Sequence, residues 1–257
     1  MEERTVDRVY EKPASLQKKG NGFCPGCMHG TVTKLVAEAI DKFDIRGKTV
    51  CVLPIGCGTL SMEYFNFDMI VAAHGRAPAV ATGYKRSLPE NIVFTYQGDG
   101  DLAAIGLSEI MHAANRGENI TTIFINNQIY GMTGGQMAPT TLVGQNATTC
   151  PNGRDAALTG YPMKMAEILA TLEAPAYIAR FALNTPANII KARGGIEKAF
   201  KNQIERKGFS FVELLTNCPT NWGVTPEESL VWMKEKSIPF YPLGVVRDRD
   251  AEVKDGK

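Results

Sequence analysis

The sequence predicts an α/β chain, a mostly parallel sheet with helices on both faces. Strand-like apolar runs alternate with helix-like amphipathic segments, and no internal repeat is present. Two of the runs, "NIVFTYQG" and "NITTIFINN", flank one helical segment as a βαβ unit, which implies parallel strands and a right-handed crossover. The length, 257 residues, fits one large α/β domain better than two.

Along the chain, "TVTKLVAEAIDKF" (31–43) places Val32, Leu35, Val36, Ala39 and Ile40 at helical spacing, and "KTVCVLPIG" follows as a strand ending in glycine. The βαβ unit comes next, its helix in "DLAAIGLSEIMHAANRG" closed by Gly117. Residues 131–153 are rich in Gly, Thr, Gln and Asn, and a stretch that long without periodicity reads as a functional loop. "AYIARFAL" and "FSFVELLTN" are two further strands around the helix "PANIIKARGGIEKAFKNQIERK". A short helix starts at Thr225, with Pro226 in its first turn and Glu227 and Glu228 at its positive end. The chain divides into an N-terminal arm (1–21), a binding domain (22–223) and a C-terminal helix with a loose charged tail (224–257).

Lysine plus arginine (28) nearly balances aspartate plus glutamate (27), which speaks against nucleic acid or an acidic membrane as partner and for small molecules or other subunits. No apolar stretch reaches the ~18 residues of a membrane span, and the start, "MEERTVDRVYEK", lacks a leader-like apolar core, so a cytoplasmic location is expected. Six irregularly spaced cysteines in a reducing compartment point to metal, cluster or redox chemistry rather than disulfides.

The stretch "FTYQGDGDL" sets two carboxylates among glycines directly after an apolar strand. Buried unpaired carboxylates are costly, so a cation is the expected guest. In open α/β sheets ligands bind at the carboxyl ends of strands, where this stretch falls. The next parallel strand ends in "NNQIYGMTGGQ", which brings Asp99 and Asn127 to the same edge. Asp99, Asn127 and a loop carbonyl at Ile129 are the hard oxygen donors Mg²⁺ prefers, with substrate phosphates completing its octahedron. Gly98 and Gly100 let the backbone approach such a phosphate. A glycine-rich turn with Asp101 capping the helix is the plain alternative.

Cys24-Pro25-Gly26-Cys27 is a CxxC on a loop before a helix. Cys57 lies between two glycines at a strand end, and Cys218 ends another strand at the same edge. Four such thiols suit a cluster or zinc. Cys51 falls inside a strand as a small core residue, and Cys150 is a loop thiol. His29 and His112 fall in helical patterns and read as structural.

"GFCPGCMHG", "PIGCGTL", "AAHGRAPAVATGYK", "GDGDLAAIG", "NNQIYGMTGGQMAPTT" and "NCPTNWG", in that order over residues 22–223, resemble the thiamine diphosphate-binding β subunit of 2-oxoacid:ferredoxin oxidoreductases. The resemblance implies the diphosphate half of a thiamine diphosphate site with Mg²⁺ on Asp99, Asn127 and Ile129, and a [4Fe–4S] cluster on Cys24, Cys27, Cys57 and Cys218. It sets Cys57, Gly58, His74, Gly98, Gly100, Asp101, Gly131, Met132 and Thr133 against the cofactor as well, the Thr133 hydroxyl or nearby backbone N–H groups gripping the diphosphate. His74, in "AHGRA", is implied as catalytic, a proton donor or charge stabiliser near the thiazolium, and Arg76 as the partner of a nearby carboxylate. The implied reaction is CoA-dependent oxidative decarboxylation of a 2-oxoacid. Its electrons leave one at a time, through the cluster, to ferredoxin. The implied partners are a pyrimidine-binding subunit and further γ and ferredoxin-like subunits. The motif variants look most like the 2-oxoisovalerate type. A 2-oxoglutarate enzyme and a thiamine-free electron-transfer subunit are the alternatives.

Overall fold

In the computed structural model, residues 10–254 are described. Helix α1 (His29–Lys42) leads into β1 (Thr49–Leu53), a 3₁₀ turn (Cys57–Glu63) and β2 (Asp68–Val71). Then come α2 (Ala77–Ser87), β3 (Ile92–Gly98), a π-helical turn (Gly100–Ile105), α3 (Leu107–Asn115) and β4 (Thr121–Asn126). The long loop opens with a hairpin, β5 (Ile129–Tyr130) and β6 (Gln136–Met137), and carries α4 (Ala156–Thr159) before α5 (Met165–Ala170). The strands β7 (Tyr177–Ala182) and β8 (Ser210–Leu215) flank α6 (Pro186–Ile204), and α7 (Pro219–Trp222), α8 (Pro226–Trp232) and β9 (Gly244–Asp248) follow.

Seven strands form one sheet in the order β2-β1-β3-β4-β8-β7-β9, parallel except for β9. The central strands are apolar throughout because both faces are covered, and alternate residues serve two cores. Cys51, Leu53, Phe94, Tyr96, Ile123 and Ile125 pack with α1 and α6, while Val52, Val93 and Phe124 pack with α2, α3 and α5. Full burial of each such large side chain contributes ~1.5–3 kcal/mol. Thr185 caps α6 by accepting from the Asn188 N–H. The helix at Thr225 begins in a complete capping box with Glu228, which satisfies two otherwise unpaired N–H groups.

Three features depart from the sequence reading. The helix after β3 is broken, with a Gly106 N–H to Asp101 carbonyl bond (2.9 Å) closing a π turn before α3. The four-residue β2 is a strand the sequence reading does not contain: its apolar run, Met69 to Val71, is short and lies on the sheet edge, where none of its residues is buried. The charged end is not a loose tail: β9 pairs antiparallel with β7, and Arg249–Lys254 is helical. None of the five residues of β9 is buried, which leaves it without a buried-strand signature. In the arm, the Gln17 N–H donates to the Tyr64 carbonyl at 2.8 Å, and Leu16 reaches the main core; residues 1–9 and 255–257 lie outside the described residues.

Candidate functional site

Four neighbouring strands end at one edge, β1 in the loop 54–58, β3 in Gly98–Asp101, β4 at Asn127 and β8 at Cys218. The β3–β4 register, Gly98 opposite Ile125, brings Asp99 and Asn127 to the same edge, within one residue of level. Cys57, Gly58, His74, Gly98, Asp99, Gly100, Asp101, Asn127, Ile129, Gly131, Met132 and Thr133 all line one pocket of about 100 Å³. That is well below the ~300–1,000 Å³ of a complete small-molecule site, the size expected of a half site that another surface closes. A larger open groove under the arm, about 1150 Å³, contains none of these residues.

Asp99 is buried, and its carboxylate accepts from the Gly100 N–H (2.9 Å) and the Thr140 hydroxyl (2.6 Å), with the Gln128 and Ile129 N–H groups also facing it. Burial outweighs these donors and pushes its pKa up to about 6. No lysine or arginine lines the pocket, so the protein leaves this charge without a cation of its own. The Asn127 side-chain oxygen accepts from the Ile129 N–H (3.3 Å), and the Asn127 carbonyl from the Trp222 ring N–H (3.1 Å). Between them Gln128 takes a φ of 62°, a strained value for a non-glycine residue that aims its two neighbours at the pocket. Carboxylate, amide and carbonyl oxygens around one unneutralised charge fit a hard divalent cation.

Asp101 is the centre of a second cluster that sequence spacing could not show. Its Oδ1 accepts from His74 Nδ1 (2.6 Å), the Gly75 N–H (2.9 Å) and the Ile55 N–H (3.2 Å), and its Oδ2 from Gln97 Nε2 (2.7 Å). The carboxylate is therefore spent on protein donors, and its part is to hold the loops of β1 and His74 in place. It also fixes the His74 tautomer with the proton on Nδ1, leaving Nε2 for the pocket. Gly75, at φ +78°, has to be glycine, because a Cβ there would stand 2.6 Å from the Gly106 nitrogen. Arg76 lies outside the pocket, paired with Glu109 at 2.5 Å.

The four predicted cysteines converge behind the pocket. A Cβ at Gly131 would lie 3.1 Å from Cys57 Sγ and 3.6 Å from Cys218 Sγ, which puts both sulfurs beside one point. Cys24 and Cys27 are joined by a tight turn, and Cys57, Cys27 and Cys218 each feel Cys24 electrostatically. Burial pushes the Cys27 thiol up to about 11 and Cys57 to about 12, so a metal binding here displaces protons. Among the described residues, no group of three His, Cys, Asp or Glu side chains is close enough to hold a single metal ion. A four-iron cluster spreads its thiolates wider than one ion does, and four thiols that approach one another without closing on a single point are compatible with it. Cys51 is buried in the main core, and Cys150 packs in the loop near Ile129 and Ala147.

Three further residues enter. The Thr133 hydroxyl is turned to Gln136 (2.5 Å), leaving the loop's N–H groups, not that hydroxyl, for a phosphate. His29 lines the pocket wall, bonded through Nδ1 to the Tyr96 hydroxyl at 2.7 Å, and burial lowers its pKa to about 4. Thr140, inside the quoted loop segment but with no role legible there, supports Asp99.

Residues 55–214 match the family "Thiamine pyrophosphate enzyme, C-terminal TPP binding domain". The chain is 46% identical to the ketoisovalerate oxidoreductase subunit VorA of Methanothermobacter thermautotrophicus, over 95% of this chain and 54% of that protein. It thus spans about half the length of that relative. It is 39% identical to the 2-oxoglutarate synthase subunit KorB of Archaeoglobus fulgidus, over 83% of this chain and 75% of that one. Its fold is similar to a 2-oxoglutarate:ferredoxin oxidoreductase from Magnetococcus marinus, with a TM-score of 0.71 and 29% identity over 83% of this chain and 70% of that chain. Pocket, sheet and relatives agree, and the chain belongs to the thiamine diphosphate-binding β-type subunits of the 2-oxoacid:ferredoxin oxidoreductases.

Proposed function

We propose that this chain carries the diphosphate half of a thiamine diphosphate site, with Mg²⁺, beside a [4Fe–4S] cluster, in an enzyme that oxidises a 2-oxoacid to an acyl-CoA and CO₂ while reducing ferredoxin. The observation that carries it is the meeting at one sheet edge of an unneutralised hard-oxygen set, Asp99 and Asn127, with the thiols of Cys57 and Cys218, against which the loop of Cys24 and Cys27 is held by Asn217. Thiamine diphosphate supplies the carbanion chemistry when bound, and the cluster takes electrons singly. Asp99, Asn127 and Ile129 hold the metal. Gly98, Gly100 and the loop Gly131, Met132 and Thr133 let backbone N–H groups reach the diphosphate. His74, positioned by Asp101, turns Nε2 to the reacting centre, where its protonated ring serves as a proton donor or charge stabiliser. A pyrimidine-binding subunit closes the open pocket, and γ and ferredoxin-like subunits handle CoA and onward electron transfer. The chain alone is inactive, and the assembly works in the cytoplasm; no described helix is long and apolar enough to cross a membrane.

The substrate is 2-oxoisovalerate. Higher identity to the ketoisovalerate relative favours it, and so does the absence of lysine and arginine among the pocket-lining residues, with Arg76 committed to Glu109. The 2-oxoglutarate relatives keep that acid as the second reading. The test is anaerobic purification with the partner subunits, followed by cofactor analysis and CoA-dependent viologen reduction with a panel of 2-oxoacids. Branched-chain acids should give the highest kcat/KM. Oxidation of 2-oxoglutarate at a higher kcat/KM would reverse the substrate reading, and absence of bound thiamine diphosphate would leave the electron-transfer alternative.

A further inference from the structure

The turn after β8 touches both halves of the site. Cys218 precedes α7, and three and four residues on, Asn221 and Trp222 grip the loop between Asn127 and Gly131 from two ends. Trp222 donates to the Asn127 carbonyl at 3.1 Å, and Asn221 Nδ2 donates to the Gly131 carbonyl at 2.7 Å. The same Asn221 nitrogen lies 3.4 Å from Cys218 Sγ, so its two N–H bonds serve one carbonyl and one sulfur. The Asn221 backbone N–H is directed at that sulfur too. Among the described residues, no other side chain donates to the sulfurs of Cys24, Cys27, Cys57 or Cys218. The loop is threaded tightly here: a Cβ at Gly131 would meet two sulfurs within 4 Å, and one at Gly135, φ +87°, would stand 3.2 Å from the Asn221 Cβ.

We propose that Asn221 is a positioning residue that ties the cluster to the diphosphate loop, raising the cluster's reduction potential through its N–H···S bond while anchoring the loop through Gly131. The inference rests on the cluster and thiamine reading above. Reduction adds negative charge that is shared by the cluster sulfurs, so a donor at Cys218 stabilises the reduced state more than the oxidised one and makes the potential less negative. The other N–H of the same amide holds the Gly131 carbonyl, and with it the backbone that faces the diphosphate. A merely structural residue would move loop order or iron content without moving a potential.

The measurement is EPR-monitored potentiometry on the anaerobically purified holoenzyme, with Asn221→Ala and Asn221→Asp beside wild type. Both variants should keep full iron and show a more negative midpoint, Asn221→Asp the more so because it sets a carboxylate where a donor was. Thiamine diphosphate affinity should fall roughly two- to tenfold, the loss of one ordinary hydrogen bond. An unchanged or less negative midpoint at full iron overturns the role of Asn221. If Asn221→Ala sheds iron, Asn221→Ser takes its place and is judged by the same midpoint. A wild-type enzyme with no four-iron signal overturns the cluster reading and this inference with it.

Discussion

Two buried carboxylates on the central strands receive opposite treatment. Glu213, on β8, is fully enclosed, yet it is matched: Arg180 Nη2 stands 2.9 Å from its Oε2 as an ion pair, and Asn126 Nδ2 donates to its Oε1 at 2.7 Å. Burial works against the Arg180 charge, but hydrogen bonds and charges from Glu167 and Glu213 more than offset it and hold its pKa above the usual value. Asp99, at the end of β3, is nearly as enclosed and meets only a hydroxyl and backbone N–H groups. Its pKa rises accordingly, to about 6. The fold neutralises one of these acids internally and leaves the other, in the pocket, to neutral donors, and this difference is what supports the proposed cation at Asp99.

The contrast breaks most visibly at Arg180. Arg180→Met strands Glu213 without a counter-charge and should cost about 3–5 kcal/mol in denaturant unfolding, while Arg180→Met with Glu213→Gln should recover most of the loss. Recovery of nothing would show that Arg180 acts by packing alone. At Asp99 the sign reverses. Its folded pKa lies above the 3.8 of the free side chain, so the folded chain holds the proton more tightly and gains stability at low pH. For the metal-free chain that gain is complete below about pH 4 and is lost as pH rises through 6, at most about 3 kcal/mol. Asp99→Asn should flatten this slope. It should also abolish the stabilisation that Mg²⁺ with thiamine diphosphate gives the wild type at pH 8. Retained cofactor stabilisation in that variant would remove Asp99 from the metal site.

Much of this was legible in the sequence, for physical reasons that can be named. Apolar runs mark strands covered on both faces, so β1, β3, β4, β7 and β8 could be read; the edge strands β2 and β9, half exposed, could not. Strand order followed only partly. The βαβ unit placed β3 beside β4, and with them Asp99 beside Asn127, while nothing in the sequence set β8 next to β4. Asp101 with His74 is a pairing across 27 residues that depends on a π turn and on two glycines in contact. Arg180 and Glu213 stood in sequences already read as strands, but their register, opposite each other on β7 and β8, appears only in the folded sheet. Asn221 and Thr140 fall inside quoted segments, "NCPTNWG" and "NNQIYGMTGGQMAPTT", but nothing in those segments shows which atoms they meet; they gain their parts from chain segments that arrive beside them.

A smaller effect sharpens the same comparison at Thr140. Its hydroxyl donates to Asp99 Oδ2 at 2.6 Å, and hydrogen bonds to charged groups are worth ~1.5–3 kcal/mol. Thr140→Val should therefore weaken Mg²⁺-dependent thiamine diphosphate binding roughly 10- to 100-fold while leaving iron content alone. Calorimetry at fixed Mg²⁺ reads this directly, and wild-type affinity would mean that the hydroxyl does not support the ionised carboxylate.

The least effect is expected at Tyr241, which stands between the two acids. Its ring lies over the Arg180 guanidinium, 5.3 Å from it, and its hydroxyl donates to the Thr140 carbonyl at 2.6 Å. Tyr241→Phe keeps the ring, and so the cation–π contact, and removes only the hydroxyl. The Thr140 carbonyl then loses one partner in a buried setting, a change of about 1 kcal/mol in unfolding free energy. Thiamine diphosphate affinity should fall less than about threefold, because the Thr140 side chain that serves Asp99 is untouched. A loss as large as that of Thr140→Val would mean that the metal carboxylate and the internal ion pair are one cooperative network. The two acids would then have to be understood as coupled rather than as matched and unmatched neighbours.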